Sequence, residues 1–425
     1  MNATVLPRRY DVDALRVIAF GLLILYHCGM FYVEGWGWHI KSAYTAEWLT
    51  EPMRFLNQWR MSLLFVISGL AVAFVYGRYS DRALARRRLW RLGLPLLFGM
   101  MVVVAPQHYY EALGKGLVEP GFWSFYLKYL SFYDFPGEAW GGENSLKWTW
   151  NHLWYLPYVL FYTVLAVALG GLLRGSGVDK AFQRLRGVWL VAVPVLPLMV
   201  YGNLVFPHFP GVNHTLVADG YGHVMFGTLF FYGFLIGRDP SWWDALAGRR
   251  RTLLAIAVGA YASLRTQEWW VPENPSWAIE QLSFLSVYVN RWTWILVLMA
   301  FAYRYLNQPR PWIAYGTAAV FPWYILHQTL TVMLGGELAR FELGPVVEPA
   351  LVLGGTVIGC WALYELAIRR VAWLRPLFGA PISASLDSRS EPGHQQEKQI
   401  PADAASRDDG EPGGARVGTQ VGPVG

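Results

Sequence analysis

Leu15-Arg16-Val17-Ile18-Ala19-Phe20-Gly21-Leu22-Leu23-Ile24-Leu25-Tyr26-His27 is an apolar run that carries an arginine near its start and a histidine at its far end. Read as a membrane span over about residues 14–33, it has Arg16 at its mouth and His27 near its middle. Eleven helical residues turn the chain by three turns plus about 20°, so both side chains share one face, roughly 16 Å apart along the axis. Ionisable groups are costly inside a bilayer and mark functional sites by default. An anion anchor at the surface with a proton-transfer group at depth suits transfer chemistry across or within a membrane. The competing reading is a snorkelling arginine and a histidine bonded to a neighbouring helix.

The rest of the chain repeats this apolar character. Of 425 residues, 54% are hydrophobic and 15% charged, against about 25% charged in soluble proteins. The apolar residues fall in blocks long enough to cross lipid, which implies an all-α, polytopic membrane bundle of about ten helices. The expected spans are 14–33, 60–77, 89–106, 152–173, 188–206, 222–237, 252–265, 284–303, 314–334 and 346–368. The seventh is the weakest, cut short by Arg265 and Gln267. The sixth is short enough to be tilted or re-entrant. A net charge of +6 raises the question of nucleic acid. The basic residues, however, cluster in alternate short loops beside apolar blocks, as in Arg78 to Arg91, Arg174 to Arg186 and Arg249 to Arg251. That is a topology signal, and it places both termini in the cytoplasm. No nucleic-acid partner is expected.

Residues 1–380 therefore read as one membrane domain. Residues 381–425 lack aromatics, are rich in Gly, Pro, Ser, Asp and Glu, and read as a disordered cytoplasmic tail. Cys28 and Cys360 both fall in apolar spans and imply neither a disulfide framework nor a metal site. The longest outward loop, about 107–151, is dense in Tyr, Trp and Phe. Its 122–135 stretch suits an interfacial helix, either as an aromatic belt at the headgroups or as a platform for sugar rings.

Other residues add chemistry. Arg88 and Arg91 open the third span at i and i+3, one face, and are placed to grip the phosphates of a nucleotide-like donor; ordinary positive-inside charge is the bland alternative. Asp13 orients Arg16 or is a helix-start acid. Phe65-Val66-Ile67-Ser68-Gly69 reads first as a close-packing stripe; a nucleophilic Ser68 has no adjacent base in sequence. His152-Leu153-Trp154-Tyr155-Leu156 starts the fourth span. Tyr324-Ile325-Leu326-His327-Gln328 lies within the ninth, where His327 is a second deep histidine, with a helix-to-helix hydrogen bond as its structural alternative. No phosphate loop or zinc signature is present, and the histidine spacing disfavours haem.

Taken together, Arg16 with His27, the Phe65-to-Gly69 stretch, Arg88 with Arg91, the His152-to-Leu156 motif and Tyr324 with His327-Gln328 resemble the acyltransferase 3 family of integral membrane O-acyltransferases, over about residues 10–370. The stretch from Gln58-Trp59-Arg60-Met61 through Arg91-Leu92-Gly93-Leu94-Pro95 to Pro106-Gln107 looks most like its glucan-biosynthesis protein C branch, associated with succinylation of periplasmic glucans. The resemblance implies an acyl-CoA donor on the cytoplasmic side, no bound cofactor or metal, His27 as the essential catalytic residue with Arg16, and Arg88 and Arg91 near the donor. It implies an extracytoplasmic glycan or other hydroxylated envelope acceptor, and a bacterial inner-membrane location. His152, Trp154, Tyr324, His327, Asp13 and Ser68 are second-tier candidates. Many relatives carry a carboxylate after the span-four motif; here Pro157-Tyr158 follows, so that role does not transfer. No esterase-like domain is fused, so the chain either completes the transfer itself or hands its acyl group to a partner. A transporter or flippase of a glycan or lipid intermediate is the alternative reading, because polar midplane residues serve there too.

Overall fold

The computed structural model describes residues 8–131, 149–236 and 240–380, all within one compact unit. The tail expected from residue 381 lies outside the described residues. So do Phe132, Tyr133, Trp140 and Trp148 of the aromatic loop, with the end of its expected interfacial stretch. Every expected span is matched by a helix. They are α1 (Tyr10–Tyr32), α2 (Thr50–Val75), α3 (Asp81–Gly114), the short α4 (Phe122–Leu130), α5 (Asn151–Leu173), α6 (Gly177–Arg184), α7 (Trp189–Leu204), α8 (Gly220–Leu235), α9 (Pro240–Gly248), α10 (Arg250–Trp270), α11 (Trp277–Leu306), α12 (Pro311–Leu338) and α13 (Gly344–Ile368).

Six of these, α1, α2 (with its lead-in from Glu47), α3, α5, α11 and α13, are long and apolar enough to cross a membrane. The protein is thus a polytopic helical membrane protein. The other four expected spans have visible reasons for falling short. α7 and α8 have 16 residues each. α10 carries Arg265, Gln267 and Glu268 in its last turns. α12 is long, with 28 residues, but its apolar run is broken by Tyr324, His327, Gln328, Thr329 and Thr331.

Polar residues that look like loop in sequence are helix here. α2 starts at Thr50, well before residue 60, because Glu51 and Arg54 find partners on α10. Arg265 bonds Glu51 at 2.7 Å, and Arg54 bonds Glu268 at 3.1 Å. α2 and α8 meet at a glycine crossing. A Cβ on Gly69 would collide with the Phe230 carbonyl oxygen, and one on Gly233 with that of Val66. This backbone-to-backbone approach is what small residues in membrane helices permit.

α3 is not a regular helix. It winds more widely over Leu89–Gly93 and Gly99–Val103. Pro95 and Pro106 lack the N–H that would close a regular bond to the carbonyls of Arg91 and Val102, and the wider turn relieves the mismatch. Arg91 rides on the first of these turns. α4 buries Phe125 and Tyr129 against α3 and leaves Trp123 and Leu127 exposed, the pattern of an interfacial helix.

Candidate active site

α1 and α12 pack together and bring His27 to His327. The two rings are parallel, 7° apart, with centroids at 4.9 Å, and His27 Nδ1 lies 2.8 Å from His327 Nε2. Which nitrogen carries the proton follows from the partners. His327 Nδ1 faces the carbonyl oxygens of Tyr324 at 2.7 Å and Trp323 at 3.2 Å. Carbonyls only accept, so His327 Nδ1 holds a proton and, in the neutral ring, Nε2 is a lone pair. His27 Nδ1–H therefore donates to it, which leaves His27 Nε2 as a lone pair with no hydrogen-bond partner among the described residues. His327 is fully buried, whereas His27 keeps part of its surface open. His27 stands closer to one end of its helix than the sequence suggests: five residues, about 7.5 Å, from Tyr32.

His152 is brought to the same place and is spoken for. Its Nε2 donates to the Ile325 carbonyl at 3.0 Å, and its Nδ1 accepts from Gln107 at 3.2 Å. Its ring stands at 86° to that of His327, 5.4 Å away. The Tyr324 hydroxyl donates to the His152 carbonyl at 2.7 Å. Asn151, in the left-handed region at φ 46°, a conformation that asparagine tolerates, receives the His152 N–H on its side-chain oxygen at 2.7 Å. His152 and Tyr324 are thus a clamp that fixes α5 to α12 beside the His27 pair.

A further polar chain, not read from the sequence, continues from this clamp. Gln328 Nε2 shares its two hydrogens among three acceptors: Asn151 at 2.8 Å, Gln107 at 3.0 Å and His39 Nε2 at 3.0 Å. His39 Nδ1–H donates in turn to Glu111 at 2.5 Å, and Lys115 bonds the other Glu111 oxygen at 2.7 Å. His39 and Glu111 meet across 72 positions of sequence with no local motif to announce them. Trp38 sits between the two groups, 5.5 Å from His27 and 4.9 Å from His39. Trp38 and His39 also line a cleft of about 480 Å³ with Tyr110, Lys41, Lys115 and Arg340. Lys41 donates to the carbonyls of Met30 and Val33 at the end of α1, and its burial lowers its ammonium to about 8.

The second cluster lies at the other end of α1. Arg16, Arg88 and Arg91 are close enough for their charges to act on one another. Arg16 pairs loosely with Asp13 at 3.6 Å, and Asp13 is shared with Arg8 at 3.1 Å. Arg88 and Arg91 make no ion pair or hydrogen bond among the described residues. Arg88 is half-buried and Arg91 exposed.

The remaining candidates have partners of their own. Tyr155 donates to the Leu64 carbonyl at 3.1 Å, so the Ser68 hydroxyl donates to Tyr155; among the described residues no base is bonded to it. Trp154 lies against His214 with centroids at 4.1 Å and the rings tilted by 39°. A carboxylate that bonds to the helix of the span-four motif is Asp219. It accepts from Tyr158 at 2.6 Å and from the N–H groups of Gly222 and His214 at 3.0 and 3.2 Å, which makes it a helix cap. A larger cleft, about 540 Å³ between α9 and the end of α11, contains none of these residues.

Residues 9–365 match the family model Acyl_transf_3, described as an acyltransferase domain. The chain is 26% identical over 402 residues to glucans biosynthesis protein C of Escherichia coli strain K12 and of Escherichia coli O81 strain ED1a, covering 90% of this chain and 97% of theirs. The same protein of Escherichia coli O157:H7 is 26% identical over 401 residues. No solved structure matches. The match spans both clusters and the helices between them, and the chain belongs to the acyltransferase 3 family of membrane acyltransferases.

Proposed function

We propose that the protein takes an acyl group from acyl-CoA and transfers it to a hydroxyl of an extracytoplasmic glycan or other envelope molecule, from the inner membrane of a bacterial cell. The observation that carries this reading is the fixed tautomer of His27. Its Nδ1–H is committed to His327, and its Nε2 lone pair is left open, as a general base requires. The donor's phosphates bind Arg16, Arg88 and Arg91, a basic group at one end of α1 whose guanidiniums are short of anionic partners among the described residues. The long thioester arm of CoA spans the roughly 16 Å of helix between Arg16 and His27.

The basic loops favour an orientation with the arginine end in the cytoplasm. The His27 end then faces outward, and the acceptor enters by the cleft walled by Trp38, Tyr110 and His39. Sugar rings stack on such aromatics. The relatives are named for glucan biosynthesis, and a glucan is the acceptor class we carry over. The chemistry is direct: His27 Nε2 takes the proton of the acceptor hydroxyl, and the oxygen attacks the thioester carbonyl. His327 holds the base in place, and no partner protein is needed to complete the transfer.

The test is incubation of membranes containing wild type or His27→Ala with isotope-labelled acyl-CoAs, following label into envelope glycans and lipids by mass spectrometry. Label is expected with wild type only, and the variant should lose about 10²-fold or more in rate at equal protein abundance. Transfer that survives in His27→Ala removes the mechanism.

A further inference from the structure

Arg60 is a cation in the body of α2, 3% exposed. Its guanidinium carbon lies 3.6 Å over the ring of Tyr26, the neighbour of His27 in α1. Its Nε and Nη1 groups are buried and have no hydrogen-bond partner, and it has no ion pair among the described residues. Its charge acts on both His27 and His327. A buried guanidinium with no anionic partner and two unsatisfied N–H groups is expensive, and native structures keep few of them. Within electrostatic reach of a base that must become an imidazolium, it also opposes the very proton transfer assigned to His27. Both costs vanish if an anion forms between the two cations as the reaction proceeds.

Acyl transfer makes such an anion. We propose that Arg60 is a catalytic residue whose Nε and Nη1 groups bind the acyl carbonyl oxygen as it becomes negatively charged; this rests on the acyl-transfer reading above. The acceptor oxygen gives its proton to His27 Nε2 and forms a bond to the thioester carbon. The carbonyl π pair moves onto the carbonyl oxygen, which is then held by Arg60. When the tetrahedral centre collapses, that pair re-forms the carbonyl, the carbon–sulfur bond breaks, and the CoA thiolate takes the proton back from His27. Charge is conserved throughout: one cation before, and two cations with one anion at the intermediate. The N–H groups are unpartnered in the resting protein and satisfied only at the intermediate, which is the condition for stabilising a transition state over a ground state. The Tyr26 ring fixes the plane of the guanidinium so that little reorganisation is left to the reaction.

The experiment uses the full chain in lipid nanodiscs, with acetyl-CoA, butyryl-CoA and succinyl-CoA as donors. It compares wild type, Arg60→Lys, Arg60→Gln and Arg60→Ala, the last with and without millimolar guanidinium, and checks folding by gel filtration and thermal melting. Wild-type transfer comes first: if no donor is used, it is the acyl-transfer reading that fails. Given wild-type activity, Arg60→Gln should lose about 10²-fold in kcat with every donor while KM for acyl-CoA stays within about twofold. Arg60→Lys should fall between, because it keeps the charge and loses the fork. Added guanidinium should restore part of the kcat of Arg60→Ala. Unchanged kcat in folded variants overturns the proposal. So does a loss without guanidinium rescue that tracks loss of folded protein. A loss confined to succinyl-CoA also overturns it, by moving the anion to the far end of the acyl chain.

Discussion

The two ends of α1 carry opposite kinds of polar cluster. At one end Arg16, Arg88 and Arg91 repel one another, and Arg88 and Arg91 bond to nothing among the described residues. At the other end, His27 is bonded to His327, and beside them hydrogen bonds join His152, Gln107, Gln328 and His39, so that nearly every ring nitrogen has a partner. Charge that is left unpaired at the surface of a bundle is suited to meet a ligand of opposite charge, since the missing partner is supplied on binding. Polar groups that are fully paired in a buried network set geometry instead. On the proposed reading the first cluster binds the donor and the second holds still. His27 Nε2 and the Arg60 N–H groups are the exceptions within the second, and for that reason they are the groups assigned to the chemistry.

Breaking the second cluster at its central link has the largest expected effect. His327→Phe keeps a ring in the space but removes the acceptor of the His27 proton. His27 is then free to turn and to change tautomer, and Nε2 is no longer held as the base. Transfer should fall on the order of 10²-fold in kcat, with little change in KM for acyl-CoA. His327→Asn, which retains a short polar acceptor, should recover part of it. A folded His327→Phe with wild-type kcat would mean that the parallel rings are packing alone. His27 would then need another source of orientation.

The first cluster should break differently. Arg88→Gln and Arg91→Gln remove binding charge at a distance from the reacting atoms, so the loss belongs in KM. A hydrogen bond to a charged group is worth about 1.5–3 kcal/mol, so each variant should raise KM for acyl-CoA about tenfold or more and leave kcat within a few-fold. Added salt should raise the wild-type KM and affect the double variant less, because its screened interaction is already gone. Equal losses in kcat and no change in KM would make these arginines positioning groups, like the residues of the second cluster.

The binding end is far more legible in the sequence than the holding end. Arg16, Arg88 and Arg91 stand in or beside continuous apolar runs, where a charge is conspicuous, and helical spacing alone groups Arg88 with Arg91. His27 and His327 are conspicuous for the same reason, although nothing local says that they meet: 300 positions separate them. His39, Glu111 and Gln107 do not stand out because their meaning lies wholly in contacts between distant segments, and His39 sits in a connecting loop with no periodicity to read. Arg60 is hidden for another reason. Glu51, Arg54 and Gln58 make the start of α2 look like loop, so Arg60 falls at the very edge of the expected span 60–77 and does not stand out as a charge within it. Those polar residues are paired to α10 and α11 instead, for example Arg54 with Glu268 and Gln58 with Asn290, and the helix runs through them. With the span extended, the rule that singles out Arg16 singles out Arg60 as well. That Ser68 and Gly69 serve packing is readable from residue size, but the partner, Gly233, is not.

The smallest effect probes whether a histidine held by packing outside the bundle resists protonation, as the contrast between the clusters requires. His214 lies in the segment between α7 and α8, against the Trp154 ring, and its own carbonyl accepts from Trp150 at 2.8 Å. Burial lowers its imidazole from the ordinary 6.5 to about 4, although Asp219 pulls the other way. Between those two values the unfolded chain binds a proton at this site and the folded chain does not. Stability must then fall as pH drops from 6.5 towards 4. The melting temperature of wild type should decrease by a few degrees over that window, after correction for the detergent or lipid used. His214→Gln, which cannot titrate, should show a flatter dependence and a lower melting temperature at neutral pH, where the ring contact with Trp154 is lost. Parallel pH curves for the two proteins would mean that His214 takes up its proton in the folded state without cost, and that packing against an aromatic ring is not enough to keep a histidine neutral here.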